Sequence, residues 1–440
     1  MENTSHNRNP ITPFAVTNFR DIQKRFGIKE QNRRGHMYII GKTGTGKTTL
    51  IENMAISDIK RGNGLALIDP HGDVAEDILN FVPKRRIKDI IYFNPADLEY
   101  PIAFNPLEKV SSDFHHLVAS GLISTFKKIW AEFWGPRLEH ILRHSILTLL
   151  EYPESTLLDL PRLLTDKEFR KKILECVTHP QVKDFWVSEF EKYSAWLRSE
   201  AISPILNKIG QFLISIPLRN IVGQKENTFD LRKVMDEGKI LIVNLAKGKI
   251  GEDGSSLLGA MIVTKIQLAA LSRTDLPQEK RKPFYLYVDE IHNFLTLSFA
   301  DILSEARKYG LNLILAHQYI EQLDEKIRAA IFGNVGTIIS FRVGADDAKY
   351  LAREFSPVFN ESDLIDLANY HIYLKLLIDG VTCEPFSAIT LPLVEGNRSY
   401  KSGIIELSRK RYARPRNEVE REIISQSQSP KNLYARQLRF

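Results

Sequence analysis

Eight consecutive residues, Gly41-Lys42-Thr43-Gly44-Thr45-Gly46-Lys47-Thr48, have the types and spacing needed to hold a polyphosphate. The glycines let the backbone curl so that its N–H groups face an anion, and a helix N-terminus behind the loop adds positive potential. In such a loop the lysine reaches the β- and γ-phosphates, and the final hydroxyl binds Mg²⁺. The pattern therefore predicts a site for a nucleoside triphosphate with Mg²⁺. The expected contacts are Gly41, Thr43, Gly44, Thr45, Gly46, Lys47, Thr48 and Thr49.

The residues around this loop supply the context that a chance Gly/Thr-rich turn would lack. The apolar run His36–Ile40 predicts a short buried strand, and Thr49–Met54 predicts the first turns of a helix. A strand, a glycine loop and a helix in this order are the setting in which the motif binds phosphate.

A second strand, Phe284–Val288, ends in two adjacent carboxylates, Asp289 and Glu290. Asp289 is placed to hold the Mg²⁺ water shell, whereas Glu290 points differently and can polarise the attacking water. The adjacent glutamate favours RecA-like hydrolases over GTPase-like switches.

Three polar side chains are candidates for sensing and completing hydrolysis. Gln318 ends the strand-like run Leu311–His317, where it is either a sensor of the γ-phosphate or a cap of the next helix. Arg307 precedes that run and is either an arginine finger for a neighbouring subunit or a cation at a helix C-terminus. Arg342 is a second candidate for the finger.

The stretch Asp69-Pro70-His71-Gly72-Asp73 follows another strand-like run. Ligand sites of open parallel sheets lie at the carboxyl ends of strands, so Asp69 and His71 are expected near the nucleotide. The alternative is a purely structural turn. We interpret His292 as a coupling or structural residue, since Glu290 already supplies the base.

Continuous apolar runs of strand length recur along the chain, as expected for strands that crossover helices bury on both faces. These runs are 36–41, 65–69, 90–93, 240–245, 284–289, 311–317 and 336–343. A hairpin-like pair, 372–378 and 384–389, follows. The fold class predicted is α/β, a RecA-like P-loop NTPase with a largely parallel central sheet, interrupted by an inserted all-α domain.

The predicted domains are a polar N-terminal segment (1–35), a discontinuous motor domain (36–105 and 231–395), the all-α insertion (106–230) and a basic tail (396–440). Apolar residues within 106–230 recur at helical spacing. All four tryptophans fall there, either as core residues or as a stacking platform for single-stranded nucleic acid.

Charge and cysteine usage restrict the class of protein. The formal net charge is +6, but 396–440 holds eleven Lys/Arg against four Asp/Glu, so the body is near neutral. We expect the tail to be mostly disordered with a short helix at 416–424, serving as a DNA-grasping arm or a solubilising end. The chain has only two cysteines, which is too few for a disulfide framework and is typical of a protein in a reducing cytosol. No signal peptide is evident, and no apolar run approaches the ~20 residues of a membrane span.

The motif set resembles the FtsK–HerA superfamily of ring-forming DNA-pumping ATPases. The similarity covers roughly 36–395, and within the superfamily the chain looks most like TraG/TraD-type coupling proteins of type IV secretion and conjugation. It implies that Lys47 and Thr48 bind ATP–Mg²⁺, that Asp289 and Glu290 form the Walker B pair, that Gln318 is the sensor, and that Arg307 acts in trans.

The resemblance also implies a homohexameric ring with DNA in its channel, and a relaxase nucleoprotein complex and secretion-channel proteins as partners. Many coupling proteins begin with membrane-spanning helices, which this chain lacks, so we expect a cytoplasmic protein that docks at the membrane through partners. Two alternatives stay open. One is a secretion ATPase that acts on protein cargo. The other is an adaptor that recruits a nucleoprotein complex, in which ATP binding only locks the assembly.

Overall fold

The structure is a computed structural model that describes residues 10–18, 20, 22–108, 110–394 and 399–427. Its strands are β1 (Ile11–Thr17), β2 (Arg25–Lys29), β3 (Met37–Ile40), β4 (Gly64–Asp69), β5 (Ile90–Phe93), β6 (Ile240–Asn244), β7 (Phe284–Val288), β8 (Leu311–His317), β9 (Thr337–Ser340), β10 (His371–Lys375), β11 (Leu377–Ile378), β12 (Val381–Thr382) and β13 (Phe386–Thr390).

Eleven of these strands form one sheet in the order β2-β1-β13-β10-β9-β3-β8-β7-β4-β6-β5. The pairs from β9 through β3, β8, β7 and β4 to β6 are parallel. The strands β10, β13, β1 and β2 extend the sheet in antiparallel pairs. The predicted α/β class with a largely parallel sheet is confirmed, and so is the pairing of the two hairpin-like runs near residue 380.

The chain divides into two compact units. The first contains 1–92, 231–244 and 266–405, and the second contains 93–230, 245–265 and 406–440. In the first, β3, β4 and β7 are buried at every residue, because helices cover both faces of a parallel sheet. Its helices are α1 (Glu30–Arg33), α2 (Lys47–Arg61), α3 (Asp73–Asp77), α11 (Leu231–Glu237), α14 (Leu297–Leu303), α15 (Glu325–Asn334), α16 (Ala345–Phe355) and α17 (Glu361–Ile365).

The second unit is helical. It contains α4 (His115–Ile129), α5 (Pro136–Glu151), α6 (Asp159–Thr165), α7 (Lys167–Leu174), α8 (Pro180–Asp184), α9 (Ala195–Ile214), α10 (Ile216–Val222), α12 (Lys247–Ile250) and α19 (Arg416–Ser427). Two helices, α13 (Glu252–Leu271) and α18 (Lys401–Tyr412), run across the ranges that separate the units.

The helical unit is larger than the predicted insertion at 106–230. It begins at Phe93, whose ring packs edge-on against Phe104 at 6.2 Å and Phe229 at 6.4 Å between centroids. These aromatic contacts join 93–105 to the end of the insertion, and they link residues too far apart in sequence to leave a local pattern.

The tryptophans of this unit have different environments. Trp130 stacks on Phe126, and Trp186 is fully buried and donates its Nε1–H to Thr148. The interpretation as core residues is therefore confirmed for these two. Trp196 is 74% exposed, so core filling does not explain it.

The predictions for the two ends of the chain need correction. Within the polar segment 1–35, β1 and β2 form part of the sheet, and a register shift between Pro13 and Ala15 accommodates a proline inside a strand. The tail is not mostly disordered, because α18 and α19 occupy 401–427 and bury Ile404 and Val419. The helix predicted at 416–424 is confirmed within α19, whereas residues 428–440, with Tyr434 and Phe440, lie outside the described residues.

Among the residues that the structure describes, one helix with its following turn, Glu252–Asp275, is long and apolar enough to cross a membrane, and the bent pair α9–α10 passes the same test as one broken span. The prediction that no apolar run approaches the length of a membrane span does not hold for this segment by length and composition. The apolar window is 72% buried in the protein, as a core helix would be.

Candidate functional site

The phosphate loop lies between the carboxyl end of β3 and the start of α2. It is held on both sides, since the Gly41 N–H donates to His317 O at 3.3 Å and the Lys42 N–H donates to Arg342 O at 2.8 Å. Gly46 has φ 117°, a conformation that only glycine adopts readily, and it caps α2. The loop is thus fixed by the neighbouring strands β8 and β9.

Inside the loop, the buried Thr45 hydroxyl donates to Lys42 O at 2.7 Å. Lys47 Nζ donates to Gly41 O at 2.5 Å and to Lys42 O at 3.2 Å. Burial lowers the pKa of Lys47, while Asp289 and Glu290 act in the opposite direction. The ammonium therefore lies within the field of both carboxylates, and its contact with the phosphates stays a prediction.

The remaining predicted loop contacts lie at the mouth of the site. Thr43, Gly44 and Thr48 are exposed, and Thr49 is half-buried in the first turn of α2. An exposed Thr48 hydroxyl beside the buried lysine is free of the core and suits a metal-ligand role. That role stays a prediction.

Asp289 and Glu290 follow β7, the second strand along the sheet from β3. Both are buried, with 8% and 6% exposure. Burial, then Glu290 and Asp69, raise the pKa of Asp289 to about 7. Because a bound cation would relieve the repulsion between Asp289 and the neighbouring carboxylates, the oxygen donors at this place fit Mg²⁺.

Glu290 adopts a left-handed conformation, with φ 48°. Gln318, at the end of β8, donates Nε2–H to Glu290 Oε1 at 2.6 Å. His292 Nδ1 lies 3.5 Å from Glu290 Oε2. The predicted sensor and the predicted base are therefore in direct contact, and His292 contacts the base as a coupling residue would.

Asp69, at the end of β4, is buried and accepts from the backbone N–H groups of His71 and Ala75, both at 2.9 Å. It thereby fixes the turn that starts α3, whereas the His71 imidazole is exposed. Asp69 also contributes to the raised pKa of Asp289, so it lies near the site. The structural role predicted as an alternative is present for Asp69, and a nucleotide contact by His71 stays a prediction.

The two arginine candidates lie at opposite ends of the strands. Arg307, which precedes β8, is exposed. Burial lowers the pKa of His36 at the amino end of β3, and the charge of Arg307 lowers it further, so Arg307 lies near that end. Since the seven residues of β8 span about 23 Å, Arg307 is far from its own phosphate loop. Arg342 lies beside the loop, but its guanidinium donates to Leu367 O and Asn369 Oδ1.

Several residues of this region were not predicted from the sequence. Arg33 is fully buried and pairs with Asp58 of α2 at 2.6 Å, and its Nη2 donates to Tyr287 OH at 2.7 Å. Tyr370 touches the phosphate loop, with its N–H donating to Thr45 O at 2.8 Å. An arginine before a strand and a lone tyrosine carry no motif that would have identified them.

The fold and this site define a P-loop NTPase of the RecA-like class. Residues 25–368 match the profile of the family described as the type IV secretion-system coupling protein DNA-binding domain. The match covers most of the chain, and the protein belongs to that family. No curated protein matches the chain.

Solved structures of the coupling protein TrwB and of VirB4 share the fold. The unbound bacterial conjugative coupling protein TrwBdeltaN70 is 16% identical, with a TM-score of 0.62 over 88% of this chain and 90% of that one. The plasmid coupling protein TrwB in complex with ADP and Mg²⁺ is also 16% identical, with a TM-score of 0.62 over 89% and 98%. VirB4 of Thermoanaerobacter pseudethanolicus is 13% identical, with a TM-score of 0.52 over 88% and 97%.

Proposed function

We propose that this chain is an ATP-hydrolysing motor that delivers DNA in type IV secretion or conjugation. The observation that carries the proposal is the contact between Gln318 and Glu290 beside a buried Asp289 and a formed phosphate loop. A protein that only binds nucleotide has no need of a base and a sensor joined in this way. Family membership supplies the DNA cargo.

ATP is held by the loop N–H groups and Lys47, and Mg²⁺ by Thr48 and the water shell of Asp289. When bound, Mg²⁺ neutralises charge that develops on the transferring phosphate. Support comes from the left-handed Gly46, the buried ammonium and the raised pKa of Asp289. TrwB, which shares the fold, has been solved with ADP and Mg²⁺.

Glu290 polarises the water that attacks the γ-phosphate. Its Oε1 is oriented by Gln318, and its Oε2 lies near His292. In this proposal the Gln318 amide that holds the base also contacts the γ-phosphate or the attacking water, so a change at the γ-phosphate alters the orientation of the base. Gln318 thereby passes the state of the nucleotide to the segment after β8.

Hydrolysis is completed across a subunit boundary by Arg307 of a neighbouring copy. The exposed position of Arg307 at the amino ends of the strands supports a trans role, since it cannot reach the nucleotide of its own chain. Arg342 is the weaker candidate because two hydrogen bonds hold it in place. The oligomer proposed is a homohexamer around DNA.

The partners proposed are a relaxase nucleoprotein complex and secretion-channel proteins. The protein acts from the cytoplasm, at the inner face of the membrane, through those partners. The charged and polar exposed residues of α18 and α19 offer one surface for them, since Lys410 and Arg421 are exposed.

The test is ATP turnover by the purified chain with and without DNA. We expect stimulation by DNA, and loss of turnover by at least about 100-fold in Lys47→Ala and in Glu290→Gln. Lys349→Ala, an exposed lysine of α16, is the matched control. Turnover that is indifferent to single- and double-stranded DNA would contradict the motor.

Glu290→Gln also separates a motor from an ATP-locked adaptor. The variant should bind ATP without cleaving it, so an adaptor would keep DNA transfer in cells at the wild-type level. We expect transfer to be lost, because the motor needs repeated turnover.

A further inference from the structure

Tyr370 has a strained backbone at the edge of the phosphate loop. Its φ is 65°, in the left-handed region that a bulky residue rarely adopts. Hydrogen bonds on both sides hold it there, since its N–H donates to Thr45 O and its carbonyl accepts from the Thr390 N–H, both at 2.8 Å. Strain that is held in place in this manner clusters at functional sites.

The ring of Tyr370 rests on the loop and remains accessible. A Cβ on Gly46 would lie 2.8 Å from Tyr370 Cδ1, so the ring packs directly against that glycine. The residue is nevertheless 48% exposed. One side of the ring therefore contacts the loop, and much of the rest faces solvent beside it.

Side chains of neighbouring elements hold the backbone segments around Tyr370. Arg342 binds the preceding segment through Leu367 O and Asn369 Oδ1. Asn53 of α2 donates to the carbonyls of Leu391 and Pro392, which follow β13, both at 3.0 Å. The segment before Tyr370 and the segment that follows β13 are thus each held by a side chain from beside or behind the phosphate loop.

The order of the strands decides which part of a nucleotide reaches Tyr370. Glu290 and Gln318 follow β7 and β8, which lie on one side of β3, and they define the γ-phosphate end. Tyr370 precedes the antiparallel β10, which lies beyond β9 on the other side at the same edge of the sheet. The nucleoside end of a triphosphate held in the loop therefore points toward Tyr370.

We propose that Tyr370 is the stacking residue for the purine base of the bound nucleotide. The inference rests on the proposed function, in which the loop binds ATP. An aromatic face that packs on the loop from a fixed backbone offers a stacking surface at low entropic cost. Stacking discriminates poorly between adenine and guanine, so the site is expected to accept both.

The test compares ligands with and without a base on the full-length chain. ADP and inorganic tripolyphosphate are titrated, each with Mg²⁺, into the wild type, Tyr370→Phe, Tyr370→Ala and Tyr370→Gly. Because stacking on an aromatic ring contributes to the binding free energy of a base, we expect Tyr370→Ala and Tyr370→Gly to weaken the affinity for ADP by roughly 10-fold. Tripolyphosphate should bind all variants alike, and Tyr370→Phe should resemble the wild type for both ligands.

Tyr370→Gly guards against misfolding, because glycine adopts φ 65° without strain. Tyr100→Ala is the matched control, since Tyr100 is 41% exposed and belongs to the helical unit. Unchanged ADP affinity in folded Tyr370→Gly would overturn the proposal. So would an equal loss for both ligands, which would mean that the ring supports the loop instead. If the wild type binds neither ligand, the proposal that the loop binds a nucleotide is itself wrong.

Discussion

Glu52 is a buried carboxyl in α2, one turn after Thr48, with 6% exposure. Burial, then Asp77 and Asp69, raise its pKa from the ordinary 4.5 to about 7. The folded protein therefore holds this proton more tightly than the unfolded chain does. The resulting stability is fully present below about pH 4.5 and is lost as the pH rises through about 7.

Replacing Glu52 with Gln should remove this pH dependence. At pH 8 the wild type buries an ionised group, so we expect Glu52→Gln to raise the free energy of unfolding by roughly 1–2 kcal/mol. At pH 4.5 the two proteins should be equally stable. Urea unfolding at both pH values measures the difference, with the exposed Glu168→Gln as control. An equal gain at both pH values would mean that packing, not charge, is responsible.

At the scale of elements, the conformation of the phosphate loop depends on the close packing of Gly46 against Tyr370, which leaves no room for a methyl group. Gly46 has φ 117°, and an added Cβ would meet the Tyr370 ring at 2.8 Å. We expect Gly46→Ala to cost about 1–3 kcal/mol of stability and to abolish measurable ADP binding, because the loop can no longer curl.

Gly333→Ala in α15 is the matched control for that change. No atom lies within 4 Å of a Cβ placed there, so alanine should stabilise the helix by up to about 1 kcal/mol. Thermal unfolding and ADP titration of both variants test the contrast. Normal ADP binding by Gly46→Ala would contradict the geometry of the loop.

The buried pair of Arg33 on α1 and Asp58 on α2 is connected to two further elements of the first compact unit. Arg33 also donates to Thr12 of β1, and its guanidinium lies 3.7 Å from the centroid of the Tyr285 ring on β7. The network thus ties the N-terminal strand to the phosphate-loop helix and to the strand that carries Asp289. Neither charged side chain has solvent exposure.

Removing one partner leaves the other charge buried, so Asp58→Ala should cost roughly 3–5 kcal/mol. The double variant Arg33→Met/Asp58→Leu should cost less than Asp58→Ala, because no charge is stranded. Asp346→Asn breaks an exposed pair with Lys349 and should cost under about 0.5 kcal/mol. Chemical unfolding of the four proteins is the measurement, and a double variant less stable than Asp58→Ala would contradict the argument.

At the scale of the assembly, a finger that acts in trans predicts complementation between two inactive variants. Arg307→Ala keeps its phosphate loop, and Lys47→Ala keeps its arginine. Each alone should lack ATP turnover. Mixed at equal amounts, they should regain roughly a quarter of the wild-type rate, since random neighbours rebuild that share of the sites.

The readout is ATP turnover after mixing and reassembly. Arg342→Ala mixed with Lys47→Ala is the comparison that identifies which arginine acts. Recovery with Arg342→Ala but not with Arg307→Ala would reverse the assignment. No recovery in either mixture would contradict a shared site.

The sequence by itself determined the phosphate loop, the carboxylates after β7 and the parallel strands. These features are local, because glycine positions and runs of apolar residues dictate backbone shape within a few residues. The position of Gln318 at a strand end was likewise readable, and its amide lies 2.6 Å from Glu290, whereas its role as a sensor stays a prediction.

Only the tertiary structure decided what distant segments do for one another. β1 pairs with β13 across more than 350 residues, and α19 packs in the helical unit although its sequence is mostly polar. Arg33 and Tyr370 acquire their roles from partners on other elements. Such contacts leave no periodicity in the chain, since they depend on which strands become neighbours in the sheet.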